Sequence, residues 1–127
     1  MAASQETALL YHLQNSEPGR QLKLLLIKMK VRIRMIEPAQ YLQPIGALAG
    51  IREISSVESS FDGEEFPEPM LILRGFTDSR LDLLLQSMRR QKIRIPLKAI
   101  LTAENQRWNS LQLYEELNRE HQAMNHL

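Results

Sequence analysis

Basic residues are the reactive groups with the clearest pattern in this sequence. Arg20 to Arg34 contains six basic residues and no acid, and Arg89 to Lys98 contains five basic residues and no acid. From residue 30 to residue 36 cations alternate with apolar residues, which predicts a strand with one charged face. A row of cations on a strand can follow a phosphate backbone. The sequence therefore offers a candidate polyanion-binding face, made of Lys30, Arg32, Arg34, Lys92 and Arg94.

The same cations have a structural explanation, which is protection of the edges of a sheet. Charged side chains, lysine above all, discourage an edge strand from pairing with another copy of the protein. Neither basic segment contains the aromatic residues that would stack on single-stranded bases. We therefore favour edge protection and keep polyanion binding as the alternative.

A second polar group lies where the fourth predicted strand ends. Thr102, Asn105 and Trp108 fall between that strand and the last helix, and Lys98 lies on the strand itself. In parallel α/β sheets, ligands bind beyond the carboxyl ends of the strands, so these four residues form a candidate ligand corner. In the structural alternative, which we favour, Thr102 ends the strand, Asn105 makes a turn and Trp108 packs on the helix start.

Motifs for metal binding and catalysis are missing from the sequence. It contains no cysteine, and its histidines, His12, His121 and His126, lack the spacing of metal ligands. There is no Ser-His-Asp motif, no P-loop and no dinucleotide-binding fingerprint. We therefore predict no catalytic residue, no metal and no cofactor.

Length and composition are those of one soluble globular domain. The chain has 127 residues, of which 43% are hydrophobic and 24% charged, and its net charge of +1 draws it to neither nucleic acid nor membrane. The longest uncharged stretch, residues 38–51, is too short and too interrupted by Pro and Gly to span a bilayer. The N-terminal residues lack the pattern of a signal peptide. We expect a cytoplasmic protein without membrane contacts.

The hydrophobic pattern predicts two halves that share the plan strand, helix, strand, helix. Stripes of Leu and Met with i, i+3, i+4, i+7 spacing predict a helix after Ser16 and another after Thr77. Asn109 precedes the last helix. Between the halves, Ser55 to Pro69 predicts an acidic surface loop. The predicted strands are 8–13, 30–36, 70–73 and 97–102, and a short helix is predicted within 38–51.

These elements predict a single α/β (α+β) domain over residues 1–127, with a βαβα unit repeated twice around one four-stranded sheet. Two arrangements fit. The favoured one is ferredoxin-like, with antiparallel halves and extra helices, and the other is a small parallel sheet in the order 2-1-3-4. Both place the first and third strands at the centre, because those strands are apolar on both faces.

Part of the sequence also resembles a known family. The C-terminal third follows the pattern LKAxLTxxNxxW from Leu97 to Trp108 and then LYEELxxEH from Leu113 to His121. It resembles a small bacterial family that is known only as a domain of unknown function. The first half, which ends in Leu-Ala-Gly-Ile at Leu48 to Ile51, is similar too, so the resemblance covers nearly the whole chain outside the loop. It implies a cytoplasmic bacterial protein and implies no activity.

The leading functional hypothesis is a non-enzymatic binding or regulatory module that associates with a second copy, because flat edge strands leave surface for one. The alternative is a nucleic-acid-binding accessory protein that uses the basic strand face. A small-molecule enzyme is the third and least favoured hypothesis.

Overall fold

The computed structural model describes the backbone of residues 6–125 and the side chains of residues 6–120. The element order repeats strand, helix, strand, helix, as the sequence predicts. The elements are β1 (Thr7–Tyr11), α1 (Glu17–Lys28), β2 (Arg32–Ile36), a 3-10 turn (Pro38–Gln40), α2 (Ile45–Leu48), β3 (Met70–Arg74), α3 (Asp78–Arg90), β4 (Leu97–Ile100) and α4 (Ser110–Asn125). No helix in the described part is long and apolar enough to cross a membrane.

The four strands form one sheet in the order β2-β1-β3-β4. β1 is parallel to β2, and β3 is parallel to β4, whereas β1 and β3 are antiparallel. The α/β class and the single four-stranded sheet are thus confirmed. The strand order is that of the predicted parallel sheet, 2-1-3-4, and the two halves are antiparallel, as in the predicted ferredoxin-like arrangement.

The central strands are buried on both faces of the sheet. Every residue of β1 is buried, and so are Met70 to Leu73 of β3. One face packs against α1 and α3 through a cluster that includes Leu10, Leu22 and Leu84. The other face packs against α2, α4 and the loop, through a cluster that includes Tyr11. Continuous apolar strands suit only such doubly covered positions.

Lys30 and Lys92 each follow the end of a helix, and the position of Lys30 corrects the predicted start of the second strand at residue 30. Their φ angles are 62° and 60°, and each follows the last residues of a helix. The N–H of Val31 donates to the carbonyl of Leu26, and the second half repeats this geometry. This is a Schellman motif, in which the position of each lysine is usually glycine. The alternating pattern continues through the first of these motifs, so the predicted strand began at residue 30, whereas β2 begins at Arg32.

Three further boundaries differ from the prediction. β1 ends at Tyr11 rather than at residue 13, and β4 ends at Ile100 rather than at residue 102. The predicted helix within 38–51 is a 3-10 turn followed by the single helical turn of α2. The backbone N–H of Ile45 donates to the carbonyl of Trp108 at 2.8 Å. This bond docks the start of α2 on the segment before α4.

The segment from residue 55 to residue 69 has no regular secondary structure, as predicted. The buried ring of Phe66 and the half-buried ring of Phe61 both stack on Tyr41. The side-chain amide of Gln43 donates to the carbonyl of Val57 at 2.7 Å and accepts from its N–H at 2.8 Å. The loop is therefore fastened to the body at several points.

Candidate anion-binding surface

The cations of the predicted polyanion-binding face lie on two separate surfaces. Arg32 and Arg34 are exposed on β2, which is one edge strand of the sheet. Lys92 and Arg94 are exposed before the start of β4, which is the opposite edge strand. Because the two halves are antiparallel, the starts of β2 and β4 also lie at opposite ends of the sheet. The structure therefore separates Arg32 and Arg34 from Lys92 and Arg94.

The first surface has the geometry that edge protection requires. In register, Arg32 lies beside Thr7, and Arg74 of β3 lies on the other side of Thr7. The guanidinium of Arg74 donates to the carbonyl of Ala49 at 3.2 Å, so this cation serves the packing of α2. Arg32 and Arg34 remain exposed on a strand that pairs on one side only, where charge hinders pairing with another copy.

The second surface is concave. Lys92 and Arg94 line a cavity of about 350 Å³ between the end of α3 and the start of β4, together with Arg89 and Lys98. The rest of the lining is apolar and consists of Met88, Ile93, Ile95 and Pro96. All four cations are exposed, and none of them forms an ion pair with another described residue. We call this cavity the basic concavity.

Each cation of the basic concavity is placed by a different element. Arg89 lies in the last turn of α3, and Lys92 is the left-handed residue that follows the helix. Positive charge there interacts favourably with the helix dipole. That effect does not extend to Arg94 or to Lys98, whose ammonium donates to the carbonyl of Ile95 at 2.9 Å. Helix stability therefore explains only half of the positive charge.

The candidate ligand corner forms in part. Thr102, Asn105 and Trp108 line a cavity of about 300 Å³, and Lys98 is not among its lining residues. Lys98 is the register partner of Leu71, which belongs to the core on the α1 and α3 side of the sheet. The corner lies on the other side. Lys98 belongs to the basic concavity instead.

The polar side chains of the corner are occupied by a turn. Asn105 Oδ1 accepts from the N–H of Thr102 at 2.9 Å, and Thr102 Oγ1 accepts from the N–H of Asn105 at 3.1 Å. Asn105 Nδ2 donates to the carbonyl of Ile100 at 3.1 Å. Trp108 is half-buried against the same core cluster as Leu113. This geometry supports the structural interpretation of the corner.

The predicted absence of a metal site concerns residues that the structure describes only in part. Within that part, no group of three or more His, Cys, Asp or Glu residues could hold a metal ion. His12 Nδ1 lies 2.9 Å from the carbonyl oxygen of Phe66, so its ring contacts the loop. His126 and the side chain of His121 lie outside the described residues.

The three tyrosines of the sequence lie in one aromatic cluster with Phe61 and Phe66. Burial raises the pKa of Tyr11 and of Tyr41 above the usual phenol value. Burial, together with a hydrogen bond to Glu68, raises the pKa of Tyr114 to about 12. All three phenols are therefore neutral near pH 7, and their role here is packing.

Sequence reasoning missed two features of the described part. Arg89 was within the basic segment but was not singled out, because nothing local shows that the end of α3 faces β4. The second feature is a bidentate ion pair between Arg80 and the buried Glu6, with nitrogen–oxygen distances of 2.7 and 2.8 Å. These residues are far apart in sequence, and no local signal joins them.

Comparison with known protein families gives a match to the second half of the chain. Residues 69–124 match the model of a family described as a domain of unknown function (DUF3783). The matched segment contains β3, α3, β4 and most of α4, and therefore the whole basic concavity. A resemblance to an uncharacterised family is thus confirmed for the second half. The signature motif, the similarity of the first half and the bacterial origin stay predictions. No curated protein and no solved structure matches the chain.

Proposed function

We propose that the protein is a non-enzymatic binding module that holds an anionic ligand in the basic concavity. The observation that carries the proposal is the convergence of Arg89, Lys92, Arg94 and Lys98 on one cavity with no acidic lining residue. Concave surfaces lined by one sign of charge, with apolar walls, concentrate ions of the opposite sign. The ligand would gain charge-assisted hydrogen bonds from the guanidinium and ammonium groups.

The chemistry of the lining supports binding rather than catalysis. The basic concavity offers cations and aliphatic carbon, and its lining includes no carboxylate, imidazole or hydroxyl group. General acid–base catalysis usually relies on such groups within hydrogen-bond reach of the substrate.

A charge-reversal experiment tests this proposal with a control built into the fold. The double variant Lys92→Glu/Arg94→Glu removes half of the cations of the basic concavity. Its control is Arg32→Glu/Arg34→Glu, which makes the same charge change on exposed residues of the opposite edge. Binding of fluorescent oligoglutamate and of a single-stranded oligonucleotide is followed by anisotropy at 50 mM salt, and folding of each variant is checked by circular dichroism.

The proposal requires that the first double variant loses most of its affinity for both probes while the control retains it. If four phosphates are neutralised, affinity for the oligonucleotide should fall about 50-fold between 50 and 200 mM salt. Loss of affinity in the control alone would instead favour the basic face of β2 as the binding site, which is the site in the nucleic-acid-binding hypothesis. Equal losses in both variants would mean that no specific site exists.

Self-association is a second candidate function, and exposed apolar side chains favour it. Leu24 and Ile27 of α1 are 57% and 62% exposed, and Leu83 of α3 is 47% exposed. Leu24 and Ile27 lie one helical turn apart, so they form one small apolar patch. Sedimentation equilibrium should show a dimer that Leu24→Ser/Ile27→Ser converts to monomer. A wild-type protein that stays monomeric over a 100-fold range of protein concentration would exclude this function.

A further inference from the structure

An apolar groove continues from the basic concavity along α3 and β4. Its volume is about 290 Å³, and its lining residues are Leu73, Leu81, Leu85, Lys98, Ala99 and Ile100. Lys98 lines both cavities, so the two meet at this side chain. Ile100 is 51% exposed although it lies in a strand. The chain thus leaves an apolar surface open directly beside its basic concavity.

The basic and apolar sections of the combined groove follow one another along α3. Its basic section adjoins the end of α3, at Arg89, and its apolar section adjoins Leu81 and Leu85, one to two turns earlier. Leu81 and Arg89 are eight residues apart, which is about 12 Å along a helix. A segment of about two helical turns is long enough to contact both sections.

Resting on the proposed function, we infer that the ligand of this groove is an acidic amphipathic helix of a partner protein. Its carboxylates would pair with Arg94 and Lys92, and its apolar side chains would cover Ile100 and the leucines of α3. An amphipathic helix in a hydrophobic groove is a recurrent mode of peptide recognition. A nucleic acid matches the charge of the basic section but has no aliphatic side chains for the apolar section.

The free edge of β4 argues for a helical ligand rather than an added strand. Strand addition needs unpaired backbone N–H and C=O groups along the edge. Pro96 has no N–H to offer, and the carbonyl of Ile100 already accepts from Asn105 Nδ2. The strand itself is only four residues long. Little of the edge is therefore open to another strand.

Two designed peptides test the inference. The first is a labelled helical peptide with leucines at i, i+3 and i+7 and glutamates in an adjoining turn. The second has the same glutamates and serine at each leucine position. We expect the leucine peptide to bind at least tenfold more tightly to the wild-type protein. Ile100→Ser should abolish this advantage without changing the affinity of the serine peptide, whereas Val57→Ser, at an exposed apolar residue of the loop, should leave it intact.

The outcomes separate this inference from the proposed function. If both peptides bind equally, and Lys92→Glu/Arg94→Glu weakens both, the anion site stands and the apolar part of the ligand is refuted. An oligonucleotide that binds more tightly than the leucine peptide would also refute the inference. If neither peptide nor oligonucleotide binds, and charge reversal changes nothing, the proposed function fails as well.

Discussion

Replacing Gly19 with alanine should destabilise the protein, even though alanine favours helices. Gly19 is the third residue of α1, and its N–H donates to the capping hydroxyl of Ser16 at 3.1 Å. A Cβ atom on Gly19 would lie 1.9 Å from the carbonyl oxygen of Leu13 and 2.8 Å from its carbonyl carbon. These are backbone atoms of the segment between β1 and α1, so the clash cannot be relieved by a rotamer change.

The size of the effect follows from two opposing contributions. Alanine gains about 1 kcal/mol over glycine inside a helix. Overpacking a well-packed interior costs about 1–3 kcal/mol, and the buried Leu13 leaves little room for adjustment. We take the upper end of that cost and expect a net loss of about 2 kcal/mol. For 127 residues, each kcal/mol lowers Tm by roughly 4 °C, so the expected drop is about 8 °C.

Urea and thermal unfolding, followed by circular dichroism, measure this change. The control is Lys23→Ala, in the same helix, where a longer side chain is shortened to the same methyl group. It should change stability by no more than about 0.5 kcal/mol. A Gly19→Ala protein as stable as the wild type, or more stable, would refute the close approach of α1 to Leu13.

Three further predictions concern the second core and the loop. The pKa of Tyr114 is raised to about 12, and the pKa values of Tyr11 and Tyr41 are raised too, so the neutral tyrosines favour the folded state below pH 10 and that stability is lost as the pH rises from 10 to 12. Absorbance at 295 nm, which reports ionised tyrosine, should therefore rise only with unfolding. A native protein whose tyrosines titrate near pH 10 would contradict this. Trp108→Ala should lower the free energy of unfolding by about 2–3 kcal/mol, somewhat less than for a fully buried ring, and the tryptophan emission of the wild-type protein should be blue-shifted. Unchanged stability in the variant, together with wild-type emission that iodide quenches readily, would contradict packing at this position. Gln43→Ala should speed cleavage of the 55–69 segment by a Glu-specific protease, because it removes both hydrogen bonds to the Val57 backbone. An unchanged cleavage rate in this segment would show that these hydrogen bonds do not hold the loop in place.

Local signals predicted the helices well. Ser16 and Thr77 cap α1 and α3 as expected. Asn109 Oδ1 accepts from the N–H of Gln112, which completes the predicted cap of α4. Such caps depend on residues within one turn of each other, so the sequence shows them directly.

The start of β2 was harder to predict for an equally local reason. The Schellman ending at Lys30 continues the alternation of cationic and apolar residues, so its sequence has the pattern of a strand. A left-handed lysine also gives no signal comparable to glycine. The length of β2 was therefore overestimated at its start, whereas the length of β4 was overestimated at its end.

The grouping of the site residues depends on contacts between distant segments. Arg94 and Arg32 occupy corresponding places in the two halves, yet the antiparallel pairing of β1 with β3 sends them to opposite edges. The exposure of Ile100 likewise depends on how far α3 reaches over β4. Neither the placement of these arginines nor the exposure of Ile100 can be predicted from the hydrophobic periodicity of a single segment.

The most direct test of the account is a map of where an anionic peptide contacts the folded protein. Backbone amide shifts of ¹⁵N-labelled protein, recorded during titration with the leucine–glutamate peptide, would report on every segment at once. The account predicts shifts concentrated between Arg89 and Ile100 and along α3 from Leu81 onward, with little change at Arg32 and Arg34. Shifts centred on β2, or no saturable shifts at all, would contradict it.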